Sequence, residues 1–436
     1  MENWISQRSH NSFPTLENQT MRIFKFGGAS VKDGASVKNV STIIRKFRED
    51  KMIIVISAMG KMTNAFEELI RSYWLSGILD QSKLDRIFDF HQVIVLDLFP
   101  KNHPIFSTLD SLNQQLTVAV VKERGTSYAS YYDQIVSFGE LMSTQIVHHY
   151  LELDGLQNTW MDARKLIITD DNFQNADVDW ELTGQKVKEK VSKNGIYLTQ
   201  GFLGGTIDGK ATTLGREGSD YSAAIFAYVT DARRMTIWKD VDGFYSADPN
   251  QFDQVSKFEK LSFHEAIELA YYGATVVHPK TIQPLRKKDI PLWVKSFIEP
   301  QKSGTVISSE DVIMPEVPAF IVKKNQFLIS VSTRDFSFIV EKNLSKIFDI
   351  CAEIGVKVNL MQNTAVSCSL VLSFDTIKIP QVMKALQLEY DVKYNEGLEL
   401  YTVRHYTEDI INEIKGGRTM VIEERNQRTV QMLLKE

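Results

Sequence analysis

The chain has 436 residues, 43% of them hydrophobic and 24% charged, which fits a soluble globular protein and exceeds what one ordinary core needs, so two or more domains are expected. A formal net charge of −5 and a pI of ≈ 6.0 exclude a general attraction to nucleic acid or to an anionic membrane, and any anionic ligand then needs a local site. Two cysteines, Cys351 and Cys368, exclude a disulfide framework and a cysteine-rich zinc site and fit a reducing cytoplasm.

Residues 1–20 are rich in Asn, Ser and Gln and lack the basic start and apolar middle of a signal peptide, so they read as a flexible extension, with Met21 a possible functional start. The most apolar run, Met52 to Met59, falls far short of the roughly 20 residues that span a bilayer. From Met21 onward, short apolar β-prone runs alternate with amphipathic stretches, the pattern of a mainly parallel sheet covered by helices. Strands are expected over 22–26 and 52–57. Between them Val37, Val40, Ile43, Ile44 and Phe47 fall at helical spacing over 36–47. Residues 64–123 read as several helices, with Leu69, Ile70, Tyr73 and Trp74, then Ile87, Phe90, Ile94 and Leu98, at apolar positions.

Further strands are expected over 196–203, 235–238 and 291–295. Residues 299–318, with Pro300, Gly304, Pro315 and Pro318, read as a linker. Beyond it come a strand (327–332), a helix (342–353), two strands (356–361 and 367–374), a helix (380–388) and strands at 392–394 and 398–405. This β-α-β-β-α-β order is ferredoxin-like. The remainder, a helix over 408–415 and strands over 419–424 and 430–434, is too short to repeat that unit in full.

Several segments have the residue types that phosphate and amino-acid chemistry needs. Lys25-Phe26-Gly27-Gly28 follows a strand and leads into a helix. Paired glycines admit backbone N–H groups to a phosphate and Lys25 supplies a mobile cation, although a Gly-Gly pair also makes an ordinary turn. Ser57 to Asn64 ends the next strand on the same edge, where open α/β sheets bind ligands, and it also reads as a polar turn with a helix cap. In Ser137-Phe138-Gly139-Glu140, placed just before an apolar helical stretch, Glu140 suits either a substrate ammonium or the field of a helix N-terminus. Thr213-Leu214-Gly215-Arg216-Glu217-Gly218-Ser219-Asp220 sets a guanidinium between glycines, a fit for a small carboxylate, while Ser219 or Asp220 also reads as a helix N-cap. Trp238 to Asn250 concentrates acidic and aromatic groups that suit an adenosine and a Mg²⁺ ion, yet its Asp-Gly and Asp-Pro pairs are common turn formers. The eight histidines show no zinc-ligand spacing, and no G-x-S-x-G elbow is present.

Taken in order, these segments resemble the aspartokinases of the amino acid kinase superfamily, from about Met21 to the C-terminus. The resemblance implies an α/β amino acid kinase fold followed by ferredoxin-like ACT regulatory domains. It implies these boundaries: extension 1–20, catalytic domain 21–298, linker 299–318, ACT-like domain 319–397 and a shortened second unit 398–436. The implied reaction moves the γ-phosphoryl of ATP, with Mg²⁺, onto the β-carboxylate of L-aspartate, the first step toward lysine, threonine and methionine. Lys25, Gly28 and Asp220 would be catalytic. Ser57, Thr63, Glu140, Arg216 and Ser219 would surround aspartate. Lys25, Gly27, Gly28, Lys239, Asp240 and Tyr245 would hold ATP.

Two positions depart from the family pattern. Thr275 stands where a nucleotide-contacting lysine is common, with Lys280 a nearby substitute, and Asn250 stands where an arginine is frequent. Asn359, Gln362 and Asn363 resemble positions that contact an amino-acid effector, lysine or threonine, at an ACT interface. A homodimer or higher homo-oligomer is implied, with no nucleic acid or membrane partner, and with Glu436 as the last residue no fused dehydrogenase is expected. Two other readings stay open: a superfamily kinase for another small acid such as glutamate, and a degenerate kinase that senses amino acids without catalysis.

Overall fold

The computed structural model of the chain describes residues 21–122, 124–125, 127–252, 254–274, 276–335 and 337–435. The extension 1–20 and Thr275 therefore lie outside the described residues. The rest divides into two compact units. The larger runs to Phe244 and takes in Glu259–Ile267 and Val276–Ile313. The smaller holds Tyr245–Phe258, residues 268–274 and the chain from Met314 onward.

The larger unit is built on an eight-stranded sheet. Its strands are β1 (Met21–Phe26), β2 (Lys51–Ile56), β3 (Asn158–Met161), β4 (Gly195–Gln200), β7 (Arg234–Lys239), β8 (Lys260–Ser262), β9 (Leu292–Ser296) and β10 (Thr305–Ser308). Their spatial order is β3-β4-β2-β1-β7-β9-β10-β8, parallel from β3 to β9, with β10 antiparallel to β9. A parallel sheet has helices on both faces, so its central strands need apolar side chains on both sides. All six residues of β1 are buried, and five of the six in β2.

Helix α1 (Gly34–Lys46) starts where the Asp33 carboxylate accepts from the Ser36 N–H at 2.7 Å, and it buries Val37, Val40, Ile43 and Ile44. Helices α2 (Met62–Ser76), α3 (Gln81–Leu98), α4 (Ile105–Lys122) and α5 (Tyr128–Leu153) share their core with β1 and β2. Helices α6 (Trp180–Lys190), α7 (Gly218–Val229) and α9 (Pro279–Lys287) and a two-stranded hairpin, β5 (Leu203–Gly205) and β6 (Ala211–Thr213), complete this unit. Helix α8 covers Phe263–Tyr272.

Several local expectations change. The strand expected over 196–203 stops at Gln200, because Phe202 adopts φ 70°, outside the range of a strand. Residues 299–318, expected as a linker, contain β10, which is buried at Thr305 and Ile307 and belongs to the main sheet. Helix α5 is one continuous helix of 26 residues, so Glu140 sits mid-helix and does not feel a helix N-terminus. Neither Ser219 nor Asp220 caps α7. Glu217 takes the cap position at φ 53°, and both residues lie in the first turn.

In the smaller unit six strands form one antiparallel sheet. They are β11 (Ala319–Thr333), β12 (Val358–Asn363), β13 (Ser367–Ser373), β14 (Tyr390–Arg404), β15 (Thr419–Arg425) and β16 (Thr429–Lys435), in the order β12-β13-β11-β14-β16-β15. Helices α10 (Glu341–Ile354) and α11 (Lys378–Gln387) cover the first half, through Ile347, Cys351, Val382 and Leu386 against Ile329, Val331 and Leu370. Helix α12 (Glu408–Lys415) covers the second half, through Ile411 and Ile414 against Val403, Val430 and Met432.

The two long strands each serve both halves. Register shifts near Gln326 divide β11, and its first residues, Ala319 to Lys323, pair with Leu400 to Arg404. That segment supplies the fourth strand that the residues beyond 398 lack, so the second half is a four-stranded unit with one helix among the described residues. Among those residues no helix is long and apolar enough to cross a membrane.

Candidate active site

The C-terminal ends of β1, β2 and β4 are laced together by their backbones. The Ser57 N–H donates to the Phe26 carbonyl at 3.1 Å, Gly60 to Gly28 at 3.0 Å and Gly201 to Ile56 at 2.9 Å. This closeness explains the glycines. A Cβ on Gly28 would lie 2.6 Å from the Gly60 oxygen and 2.7 Å from the Ala58 oxygen, and one on Gly201 would lie 2.6 Å from the Ser219 Cβ. The result is a bare backbone floor at the sheet edge, with the first turn of α7 pressed against it.

Above that floor, one carboxylate joins two lysines from adjacent strands. Lys25 Nζ lies 2.6 Å from Asp220 Oδ1, and Lys239 Nζ lies 3.7 Å from Asp220 Oδ2. Lys239 also donates to the Val276 carbonyl. Asp220 is almost fully buried. Burial pushes its carboxyl up, but Lys25 and Lys239 outweigh burial and hold it below the usual carboxylate range. The arrangement holds both lysine side chains at the cleft, which suits a transferring phosphoryl group.

Glu140 lines the same cleft from α5. It is 2% exposed, its Oε2 has no hydrogen-bond partner, and burial pushes its carboxyl up to about 8 against the pull of nearby backbone N–H groups. A buried carboxylate oxygen without a donor is a site for a ligand donor. Its helix is fixed to the β2 loop where Ser143 Oγ donates to the Ser57 carbonyl at 2.7 Å and where Gly139 leaves room for Ala58 and Phe66.

Lys25, Gly28, Ser57, Thr63, Glu140, Arg216, Ser219, Asp220 and Lys239 all line one cleft of ≈ 940 Å³. Gly27, Asp240 and Tyr245 are not among its lining residues. Gly27 borders it, with its Cβ position 3.4 Å from Lys25 Nζ; Asp240 is exposed just past β7; Tyr245 belongs to the smaller unit, where it bridges to Lys257.

A model of the amino acid kinase family matches residues 20–296. Lysine-sensitive aspartokinase 3 of Escherichia coli is 30% identical over 389 residues, covering 87% of this chain and 85% of the relative. The chain belongs to the aspartokinases of the amino acid kinase family. Aspartokinase 1 of Arabidopsis thaliana, a chloroplastic protein, is 34% identical over 364 residues, which cover 80% of this chain; the match spans 63% of that relative's length. Among solved structures, E. coli aspartokinase III with lysine and aspartate superposes with a TM-score of 0.80, and the same enzyme with aspartate and ADP with 0.78. Each is 27% identical and covers 95% of this chain and 96% of the other.

Against that family frame, some expected positions do other work. Lys280, read as a substitute for the missing lysine, donates instead to the Leu214 carbonyl at 3.2 Å and to Asn175 Oδ1 at 3.1 Å, and so braces the Arg216 loop. Asn250 bonds Asp248 within its own turn. On β12, the Asn359 side chain is occupied by Lys323, Gln326 and Ser373, while Gln362 and Asn363 are exposed.

Cleft residues without a motif were missed: Glu67 and Arg71 on α2, Tyr132 on α5, and Gln174 and Phe202 in loops. Of these, Phe202 alone lies in a glycine-rich run, Gly201-Phe202-Leu203-Gly204-Gly205, the one signal available. Among the described residues no group of three or more His, Cys, Asp or Glu side chains is placed to hold a metal.

Proposed function

We propose that the chain is an aspartate kinase, which transfers the γ-phosphoryl group of ATP to the β-carboxylate of L-aspartate and releases ADP and 4-phospho-L-aspartate. The observation that supports this most is the meeting, in one cleft, of two lysines joined by a buried aspartate and a buried glutamate with one oxygen left without a donor among the described residues. The solved E. coli relative holds aspartate and ADP, ligands of the two kinds that such a cleft suits.

Glu140 takes the ammonium of aspartate, and Arg216 takes its α-carboxylate, with Ser57, Thr63 and Ser219 donating hydrogen bonds. The β-carboxylate is already ionised near neutral pH, so it attacks without a general base. Lys25 and the backbone at Gly27 and Gly28 neutralise the phosphoryl oxygens, Asp220 keeps Lys25 and Lys239 oriented, and Lys239 and Asp240 contact the nucleotide. Catalysis is then mostly positioning and charge neutralisation.

Asp240, exposed just past β7, would be the carboxylate that helps hold Mg²⁺ brought with ATP, and the ion would supply further charge neutralisation. The larger unit, with β10, acts as the catalytic domain, and the smaller unit acts as two ACT-like halves that share the long strands β11 and β14. These halves bind lysine or threonine near Gln362 and Asn363 and pair two copies of the chain, in a reducing compartment such as the cytoplasm. A coupled ADP-release assay with aspartate and glutamate as separate acceptors tests the reading. Aspartate-dependent ADP release is expected; release that ignores both acids would overturn it.

A further inference from the structure

We propose that Asp133 is a positioning residue that sets the choice of aspartate over its longer homologue glutamate, by tying the Arg216 loop to the helix that carries Glu140. The inference rests on the reading of Glu140 and Arg216 as the ammonium and carboxylate clamps.

Asp133 is fully buried in α5, and no ion pair reaches it among the described residues. Its carboxylate accepts three hydrogen bonds, one from a loop and two from the end of strand β6. Oδ2 takes the N–H of Gln174 at 2.9 Å and the N–H of Thr213 at 2.8 Å, and Oδ1 takes the Thr213 hydroxyl at 2.8 Å. The next residue repeats the attachment, since Gln134 Nε2 donates to the Ala211 carbonyl at 2.8 Å and its Oε1 accepts from the Ala211 N–H at 3.2 Å. Strand β6 therefore hangs from α5, and Arg216 follows it by three residues. Lys280 and the Ala176 N–H, which donates to the Thr213 carbonyl at 3.0 Å, hold the far side of the same loop.

Asp133 and Glu140 are seven residues apart, two helical turns, so they share one face of α5 at a spacing of roughly 10 Å along its axis. One rigid element thereby fixes both charged clamps. The cleft of ≈ 940 Å³ is far larger than an amino acid, so exclusion by size does not reject glutamate. The distance from the two clamps to the phosphoryl site at Lys25 and Gly28 does, because the ammonium and α-carboxylate are alike in both acids and only the reach to the reacting carboxylate differs. One methylene more puts either the ammonium or the reacting carboxylate out of place, a discrimination of roughly 10- to 200-fold when the site is rigid.

The test is kcat/KM for aspartate and for glutamate, with MgATP saturating, in the full chain and in Asp133→Ala, Asp133→Asn and Thr213→Val. The Asn side chain offers an amide oxygen to the two backbone N–H groups and an NH₂ to the Thr213 hydroxyl, which is able to accept. It is therefore the rescue. Asp133→Ala and Thr213→Val are expected to lower the aspartate-to-glutamate ratio about tenfold. Both raise KM for aspartate and leave KM for ATP unchanged, while Asp133→Asn restores most of the ratio. Should Asp133→Ala fail to fold, Thr213→Val decides. Equal loss toward both acids, or an unchanged ratio, overturns the proposal. A folded wild-type chain that phosphorylates neither acid overturns the functional reading beneath it.

Discussion

With Glu140 as the proposed partner of the aspartate ammonium, aspartate binding is expected to depend on pH in the direction that its burial sets. In the free cleft its carboxyl is raised to about 8, chiefly by burial. A substrate ammonium is held by the ionised form. That form is about one molecule in eleven at pH 7 and about one in a hundred at pH 6 for a group titrating near 8. The apparent KM for aspartate scales inversely with this fraction, so it is expected to fall about ninefold between pH 6 and pH 7. Initial rates against aspartate concentration, at saturating MgATP and fixed ionic strength, measure it. Glu140→Gln should raise KM at pH 8 and flatten the slope. A wild-type KM that does not change over this interval, or an equal slope in the variant, would refute the reasoning.

Stability supplies a second readout. A carboxyl whose folded pKa lies above its unfolded value of about 4.5 binds more protons when folded, so its contribution is lost as pH rises from about 4.5 to about 8. Glu140→Gln should therefore raise Tm relative to the wild type at pH 8 and have little effect near pH 4.5.

Asp220→Asn leaves Lys25 and Lys239 without their shared carboxylate in a buried setting; a loss of about 3–5 kcal/mol is expected by denaturant titration, together with loss of turnover. Gly28→Ala drives a methyl group into the Gly60 and Ala58 carbonyls, so turnover is expected to fall more than tenfold while Lys25 and Asp220 remain present, as steady-state rates would show. His91 is fully buried with Nδ1 on the Ile87 carbonyl at 2.8 Å and Nε2 without a partner among the described residues, and burial lowers it to about 4. The unfolded chain takes up this proton below about pH 6.5 and the folded chain does not, so stability falls as pH drops through that range. His91→Leu is expected to recover about 2 kcal/mol at pH 5 relative to its effect at pH 8, read from urea midpoints.

The sheet was legible because its central strands are continuous apolar runs with nowhere to go but the interior, and because glycines and charges punctuate their C-terminal ends. Lys25 and Ser57 sit at two of those ends, so chain order alone suggested a common edge for them; Arg216 and Asp220 reach it from the loop after the β5–β6 hairpin and the first turn of α7. The short strands β3, β8 and β10, of three or four residues each, carry no periodicity to read. Glu140 was read as preceding a helix because an acid beside Ser, Phe and Gly suggests a start. In the fold that stretch is the buried centre of α5, where Gly139 permits close packing and Glu140 faces the cleft. The Glu67, Arg71 and Tyr132 wall arises from faces of α2 and α5 that meet only after folding. The strand that Ala319 to Lys323 lends to the second half of the smaller sheet pairs with residues about 80 positions away. No local pattern announces such a pairing.

The most direct test of the central claim is to trap the product. Purified full-length chain is incubated with MgATP, L-aspartate and hydroxylamine, and the hydroxamate is identified by mass, beside a Lys25→Met variant shown by circular dichroism to be folded. Aspartyl hydroxamate formed by the wild type and reduced at least about 100-fold in the variant is the expected result. A folded wild-type chain that yields no hydroxamate above the enzyme-free background, or one whose yield is indifferent to Lys25, would contradict the account.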